Sequence, residues 1–349
     1  MADRPDPQNH YYLQLRRRFR FLEEWRARRR ELARGADLVL RHSPVRGARV
    51  GMLVGEEAGV PTRMIDARVL ELDPGRRTSV HRHAHDAVIF VLEGRGTTIV
   101  DGESFEWEPW DVLHTPAWSW HAHRAAEPAR LLAITDAPLL RALHLERVED
   151  AGPVERGFEP LPAEPAEPAG AGSLYEEELR ASKRAEEARA GARKITRWRE
   201  VTLRQSPKGT RTALLVDRSL GFDTSGISLA LFEIPPGKAQ SKHRHPGEAI
   251  LYVVRGRGYS VIDGRRYDWS AGDAVIVHQY VWHQHFNADP ERPATVIRLH
   301  MWESMIEIMQ AAMDPVPLYE DDPALAGQDR VWDQATPEAV GEAGPPSGP

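Results

Sequence analysis

The hydrophobic rhythm of the chain changes along its length. Over residues 10–34, Leu15, Phe19, Leu22 and Leu32 fall roughly in phase with a helical repeat, and Gly35 follows as a terminator. From about 38 to 142 the pattern switches to short apolar runs broken by Gly, Pro and Asp-Gly. Val88–Leu92 and Thr97–Val100 are parted by the turn Glu93-Gly94-Arg95-Gly96, Asp101-Gly102 gives a hairpin signal, and Val112-Leu113 follows. Pro, Ala and Glu dominate 152–172, a linker composition, and Ser173 and Glu176 then stand in capping-box relation for a short helix. Residues from about 194 to 312 repeat the strand pattern, and Pro337–Pro349 has the composition of a disordered tail. The expected organisation is a helical arm over 1–37, a first barrel over 38–150, a linker with a short helix over 151–193, a second barrel over 194–318 and a partly disordered tail over 319–349.

The two strand-rich stretches are one pattern written twice. Residues 81–123 superpose without a gap on 243–285 at an offset of 162, and 15 of the 43 paired positions are identical. His81, His83, His121 and His123 fall on His243, His245, His283 and His285, so eight of the 15 histidines are paired by the repeat. Gly75 and Gly237 share the same offset. Many short strands at even spacing predict an all-β sandwich or barrel rather than a parallel α/β sheet.

Composition narrows the chemistry. At 349 residues and 41% hydrophobic content the chain suits two domains with real cores. No apolar run reaches membrane-spanning length, and the N-terminus lacks the pattern of a signal peptide. A cytoplasmic protein is expected. There is no cysteine, so disulfides, thiolate catalysis and thiolate-bound zinc are excluded, and a transition metal must be held by His with or without carboxylate. A net charge of -6 argues against nucleic acid as the main partner. Nine arginines lie within 10–34, but Glu23, Glu24 and Glu31 dilute them, which suits a helix packed on a barrel or a partner subunit better than a membrane arm. A homo-oligomer is expected.

On a strand, alternate side chains share a face. His81 and His83 therefore face one side and Arg82 the other, as do His243 and His245 against Arg244. A third histidine, His121 or His283, can return to the same spot across a small barrel. Three imidazoles leave coordination positions open, which suits chemistry on a metal-bound ligand. The place of a carboxylate is open. Asp86 and Glu248 either bind metal from a loop before the next strand, or the sites are three histidines alone, because one residue reverses the facing.

These motifs resemble the cupin superfamily, and their doubling resembles a bicupin. The shared intervals run from Gly75 through His81 to Gly94, and from Gly237 through His243 to Gly256, with Gly272, His283 and Asn287 completing the second copy. The stretches HRHAHDAVIFVLEGRG, TPAWSWHAH and WHQHFN are similar to gentisate 1,2-dioxygenases and the related salicylate and 1-hydroxy-2-naphthoate dioxygenases. The resemblance covers roughly 230 of the 349 residues. It implies two double-stranded β-helix (jelly-roll) barrels in tandem and an enzyme that adds O2 to a small aromatic or organic acid. A divalent metal follows, Fe(II) first and Mn or Ni as alternatives. His81, His83 and His121 would be the iron ligands, and His243, His245, His283 and Glu248 would form the second set. His123 and His285 would move a proton beside the substrate.

Departures from the family pattern bear on the substrate. Ile89 stands where the family expects an arginine for the substrate carboxylate, and Asp66, Arg68 and Leu70 replace Trp, Gly and Gln. Arg68 can supply a displaced anion contact, since a guanidinium engages a carboxylate bidentately. Gentisate is thus expected to be a poor substrate. Two other functions fit the pattern: a Mn or Ni cupin acting as decarboxylase, isomerase or lyase with Asp86 or Glu248 as fourth ligand, and a non-catalytic cupin that binds metal and a small molecule.

Overall fold

A computed structural model describes residues 24–25, 27–44, 46–151, 191–301, 320–321 and 332–333. The expected linker helix at Ser173–Glu176, most of the expected N-terminal helix and the tail from Pro337 lie outside them. Among the described residues strands dominate, and the one α-helix with a full description is Ala137–Ala142. No described helix is long and apolar enough to cross a membrane.

Each half folds as two facing sheets. In the first, a seven-stranded sheet runs in the order 195–196, 112–115, 87–93, 129–135, 66–72, 48–54, 41–43. It faces a five-stranded sheet in the order 148–150, 81–83, 121–125, 96–100, 103–107. The second half repeats this with a large sheet ordered 32–33, 274–277, 249–255, 294–301, 227–234, 211–216, 204–205. All the paired strands are antiparallel, and the non-sequential order is that of a jelly roll.

Strand Ala87–Glu93 shows why the apolar runs are continuous. Ile89 and Val91 pack with Leu113, Leu131 and Trp107 inside the first barrel, whereas Val88 and Phe90 turn outward. That outward face meets Ile250, Tyr252, Ile276, Ile297 and Leu299 of the second half in one shared core. Both faces of the central strands Ala87–Glu93 and Ala249–Arg255 are buried, so their apolar runs do not alternate with polar residues.

The ends of the halves are exchanged. Leu32–Ala33, expected within a helix, instead forms a strand on Val275 and Ala274 of the second barrel. Ile195–Thr196, expected in the second barrel, pairs with Leu113 and Val112 of the first. The same latch closes each exchange. Asp273 accepts from the Gly35 N–H at 2.9 Å and from Arg34 at 3.0 Å. Asp111 accepts from the Trp198 N–H at 2.8 Å and from Arg197 at 3.2 Å. Among described residues the helix at Ala27–Arg28 is not continued to Arg34, because edge pairing satisfies the backbone of Leu32 and Ala33 instead.

Candidate metal centre

Strand register brings the histidines together. His121 pairs directly with His81, and His283 with His243. Alternation turns Arg82 outward, where it stacks 4.5 Å over Trp118 and 4.6 Å over Trp120 and meets Glu149 at 2.7 Å. Arg244 stacks 4.8 Å over Trp282 in the same way. None of these three tryptophans lines a histidine pocket.

Each inward ring is fixed by a backbone carbonyl. His81 Nδ1 donates to Ser79, His83 to His85 and His121 to Ser119, at 2.9, 2.6 and 2.8 Å. His243 donates to Ser241, His245 to Gly247 and His283 to Val281, at 2.7, 2.9 and 2.9 Å. A carbonyl can only accept, so every one of these rings carries its proton on Nδ1 and offers the Nε2 lone pair. Within each triad the candidate ligand atoms lie within 4.8 Å of one another, and all six side chains are buried. The Nε2 atoms of His243 and His283 stand 3.1 Å apart with no proton between them. Two facing lone pairs repel unless a cation sits beside them, so the donor set fits a transition metal. Burial is the main cause that pushes His83 down to about 3 and His283 down to about 4, which keeps these rings in the neutral form a metal needs.

His123 and His285 sit beside the triads in a different state. Trp107 Nε1 donates to Thr98 Oγ1 at 3.1 Å, and that hydroxyl lies 2.8 Å from His123 Nδ1. Trp269, Ser260 and His285 repeat the chain at 2.9 and 2.7 Å. The hydroxyl oxygen accepts from the indole and can give its hydrogen to Nδ1, and in that tautomer each imidazole presents an Nε2–H donor to its pocket. Burial pushes His123 down to about 3.

The acids do not join the triads. Glu248, expected as a seventh ligand, accepts from the backbone N–H groups of Arg63, Met64 and Ile65 at 3.1, 2.9 and 3.4 Å and meets His278 at 3.2 Å. Asp86 accepts from the Ala117 N–H at 2.8 Å and from the Ser225 N–H. Residues 63 and 225 are related by the same offset of 162, so each acid crosses to the equivalent loop of the other half. One residue of register turns these carboxylates to the outer face.

Positive charge lines both pockets. The first triad occupies a recess of 70 Å³ that shares Arg46, Val50, Arg68 and His85 with an open cleft of 1230 Å³. Arg68 is steadied by Asp66 at 2.8 Å, and Ile89 forms part of the wall. His85 stacks on His83 with centroids 3.7 Å apart. The second triad lines a cavity of 230 Å³ with Lys208, Arg298 and Phe232. The spacing argument missed Arg46, Lys208 and Arg298, which lie outside the histidine-rich repeat. The shared offset relating 46 to 208 is the signal that could have found two of them.

The family model for the cupin domain matches residues 68–135 and again 230–301. The chain is 27% identical over 258 residues to a 1-hydroxy-2-naphthoate 1,2-dioxygenase of Nocardioides sp. (strain KP7), covering 70% of this chain and 65% of that protein. It is 28% identical over 248 residues to a 5-aminosalicylate 1,2-dioxygenase of Comamonas sp., covering 62% and 60%. The matches thus span somewhat less than two thirds of these relatives. Among solved structures, a salicylate 1,2-dioxygenase variant from Pseudoaminobacter salicylatoxidans in complex with gentisate superposes with a TM-score of 0.57 at 18% identity, over 93% of this chain and 97% of that one. Two matched domains, two facing-sheet barrels and two buried histidine triads agree: the chain carries two cupin domains in tandem, and as a bicupin it is similar to the salicylate- and gentisate-type 1,2-dioxygenases.

Proposed function

We propose that the first barrel is the active site of a ring-opening dioxygenase acting on a small aromatic acid, with Fe(II) held by His81, His83 and His121. The observation that carries this reading is the coincidence of three Nε2 donors with two guanidinium groups at the base of an open cleft. Fe(II) bound there supplies the one-electron chemistry that lets O2 react with a closed-shell ring. Arg68 and Arg46 hold the substrate carboxylate and fix its ring against the triad, a positioning contribution. Asp66 keeps the Arg68 guanidinium in place. His123, held by Thr98 and Trp107, offers its Nε2–H to a developing oxyanion and takes the proton back afterwards. The apolar wall of Ile89, Leu70 and Ala133 keeps water from the reacting carbon. Both atoms of O2 end in the product, so no external reductant is needed. The decarboxylase or lyase alternative with a fourth carboxylate ligand is disfavoured, because Asp86 and Glu248 are engaged at the joint between the halves.

The test is O2 uptake by iron-loaded protein with salicylate, 5-aminosalicylate, 1-hydroxy-2-naphthoate and other aromatic acids. One O2 consumed per acid with loss of the aromatic absorbance is expected. Iron-replete protein that consumes no O2 with any such acid would overturn the proposal.

A further inference from the structure

The recess around the first triad is smaller than an aromatic ring requires. Its volume is 70 Å³, whereas a cavity that holds benzene has about 150 Å³. An aromatic acid with one end at the triad therefore reaches out of the recess into the open cleft. The two spaces share Arg46, Val50, Arg68 and His85, and these four side chains form the neck between them. Whatever lies across the neck touches His85.

Three polar atoms at the neck are left without hydrogen-bond partners. Arg46 Nη1, Arg68 Nε and His85 Nδ1 are all enclosed and unpaired. Asp66 meets Arg68 through a different nitrogen, at 2.8 Å, and leaves Nε unpaired. Buried polar atoms in folded proteins are nearly always paired, so three orphans at one opening mark a place where a ligand completes the bonding. The His85 side chain is 5% exposed, and its ring makes no hydrogen bond to any described residue. Burial, with Arg68 beside it, keeps this ring neutral, with one N–H and one lone pair. An enclosed lone pair is tolerated better than an enclosed N–H, which places the proton on Nε2.

The second barrel shows that the loop folds without this ring. The His85 carbonyl accepts from His83 Nδ1 at 2.6 Å, and the Gly247 carbonyl accepts from His245 Nδ1 at 2.9 Å. A glycine thus serves the backbone equally well. The imidazole packed on His245 is His300, with centroids 4.3 Å apart, and its Nε2 lies 3.3 Å from the Gly247 carbonyl. His85 stacks on His83 with centroids 3.7 Å apart and planes 6° from parallel, and no such tie to the backbone holds it.

We propose that His85 is a substrate-binding residue of the first barrel, donating from Nε2 to a carboxylate oxygen of the aromatic acid beside Arg68. This rests on the reading of the first barrel as the active site. The test uses the full chain carrying His243→Ala and His283→Ala, so that the first barrel holds the metal, loaded with Co(II) and titrated without O2 while the cobalt absorption bands are followed. Salicylate spans the neck, whereas azide is small enough to stay within the recess. His85→Ala should weaken salicylate about tenfold and leave azide affinity and cobalt content unchanged. His85→Gln, which keeps a donor at similar reach, should recover most of the lost affinity. If the double-alanine background does not fold, iron-loaded His85→Ala should instead show KM for the aromatic acid raised about tenfold, with kcat and iron content little changed. Salicylate affinity unaffected by His85→Ala, no rescue by His85→Gln, or an equal fall for azide would overturn the proposal. A parent protein that binds salicylate through His85 yet consumes no O2 would strike the dioxygenase reading alone. O2 uptake with an unchanged KM in His85→Ala would strike this proposal alone.

Discussion

The carboxylate of Glu248 lies 2.9 Å from the backbone nitrogen of Met64, in the other half of the molecule. It is a fastener between barrels, and its loss leaves the N–H groups of Arg63, Met64 and Ile65, the last two buried, and His278 without this acceptor. At about 1–3 kcal/mol for each buried group left unsatisfied, partly relieved by water, Glu248→Ala should cost on the order of 3 kcal/mol. Thermal melting should show a fall of several degrees, while metal analysis finds the second barrel still loaded. Loss of second-barrel metal with unchanged melting would identify Glu248 as a ligand instead.

Asp136 makes the corresponding seam pH-sensitive. Burial first, and then Asp86, push it up to about 7, while it accepts from the Asp86 N–H at 2.8 Å and from Ser225 Oγ at 2.6 Å. Against the upward push of burial, His114 and the N–H groups of Ser225 and Ala117 hold Asp86 low. The folded state therefore keeps a proton on Asp136 that the unfolded chain releases near pH 4. Stability from this group is fully present below the unfolded pKa and is lost as pH rises toward 7. A shift of about 3 units sets an upper bound of about 4 kcal/mol. Asp136→Asn should gain stability relative to wild type as pH climbs from 4 to 7, measured as the difference in melting temperature. A difference that stays flat with pH would refute the assignment.

In the proposed function Arg68 holds the substrate carboxylate in place of an arginine at position 89, where Ile89 stands. Arg68→Gln should raise KM for the aromatic acid at least tenfold and leave iron content intact, because the side chain contacts no triad residue through a hydrogen bond. Steady-state kinetics with parallel metal analysis separates the two effects. An unchanged KM would move the carboxylate contact elsewhere, with Arg46 the next residue to change.

Gentisate should turn over poorly compared with the best substrate found, since the wall at Ile89 is apolar and 3% exposed. Comparison of kcat/KM for gentisate and for salicylate-type acids checks this. Gentisate as the preferred substrate would show that Ile89 does not set specificity.

Much of this was legible from spacing alone. The interval between His81 and His83, and the return at His121, survive folding because strand alternation and cross-strand pairing are local rules. Asp86 and Glu248 were not legible, because one residue of register decides the face and the N–H donors they serve lie 139 and 184 residues away. Leu32 fitted a helical phase as well as it fits a two-residue edge strand, and only the second barrel's free edge decides between them.

Metal content of the full chain, measured after loading and removal of loose ions, tests the account most directly. His81→Ala and His243→Ala should each lower the bound metal by the share of one barrel, and the double variant should carry none. Full retention of metal by the double variant would contradict the claim that three imidazole nitrogens hold an ion in each half.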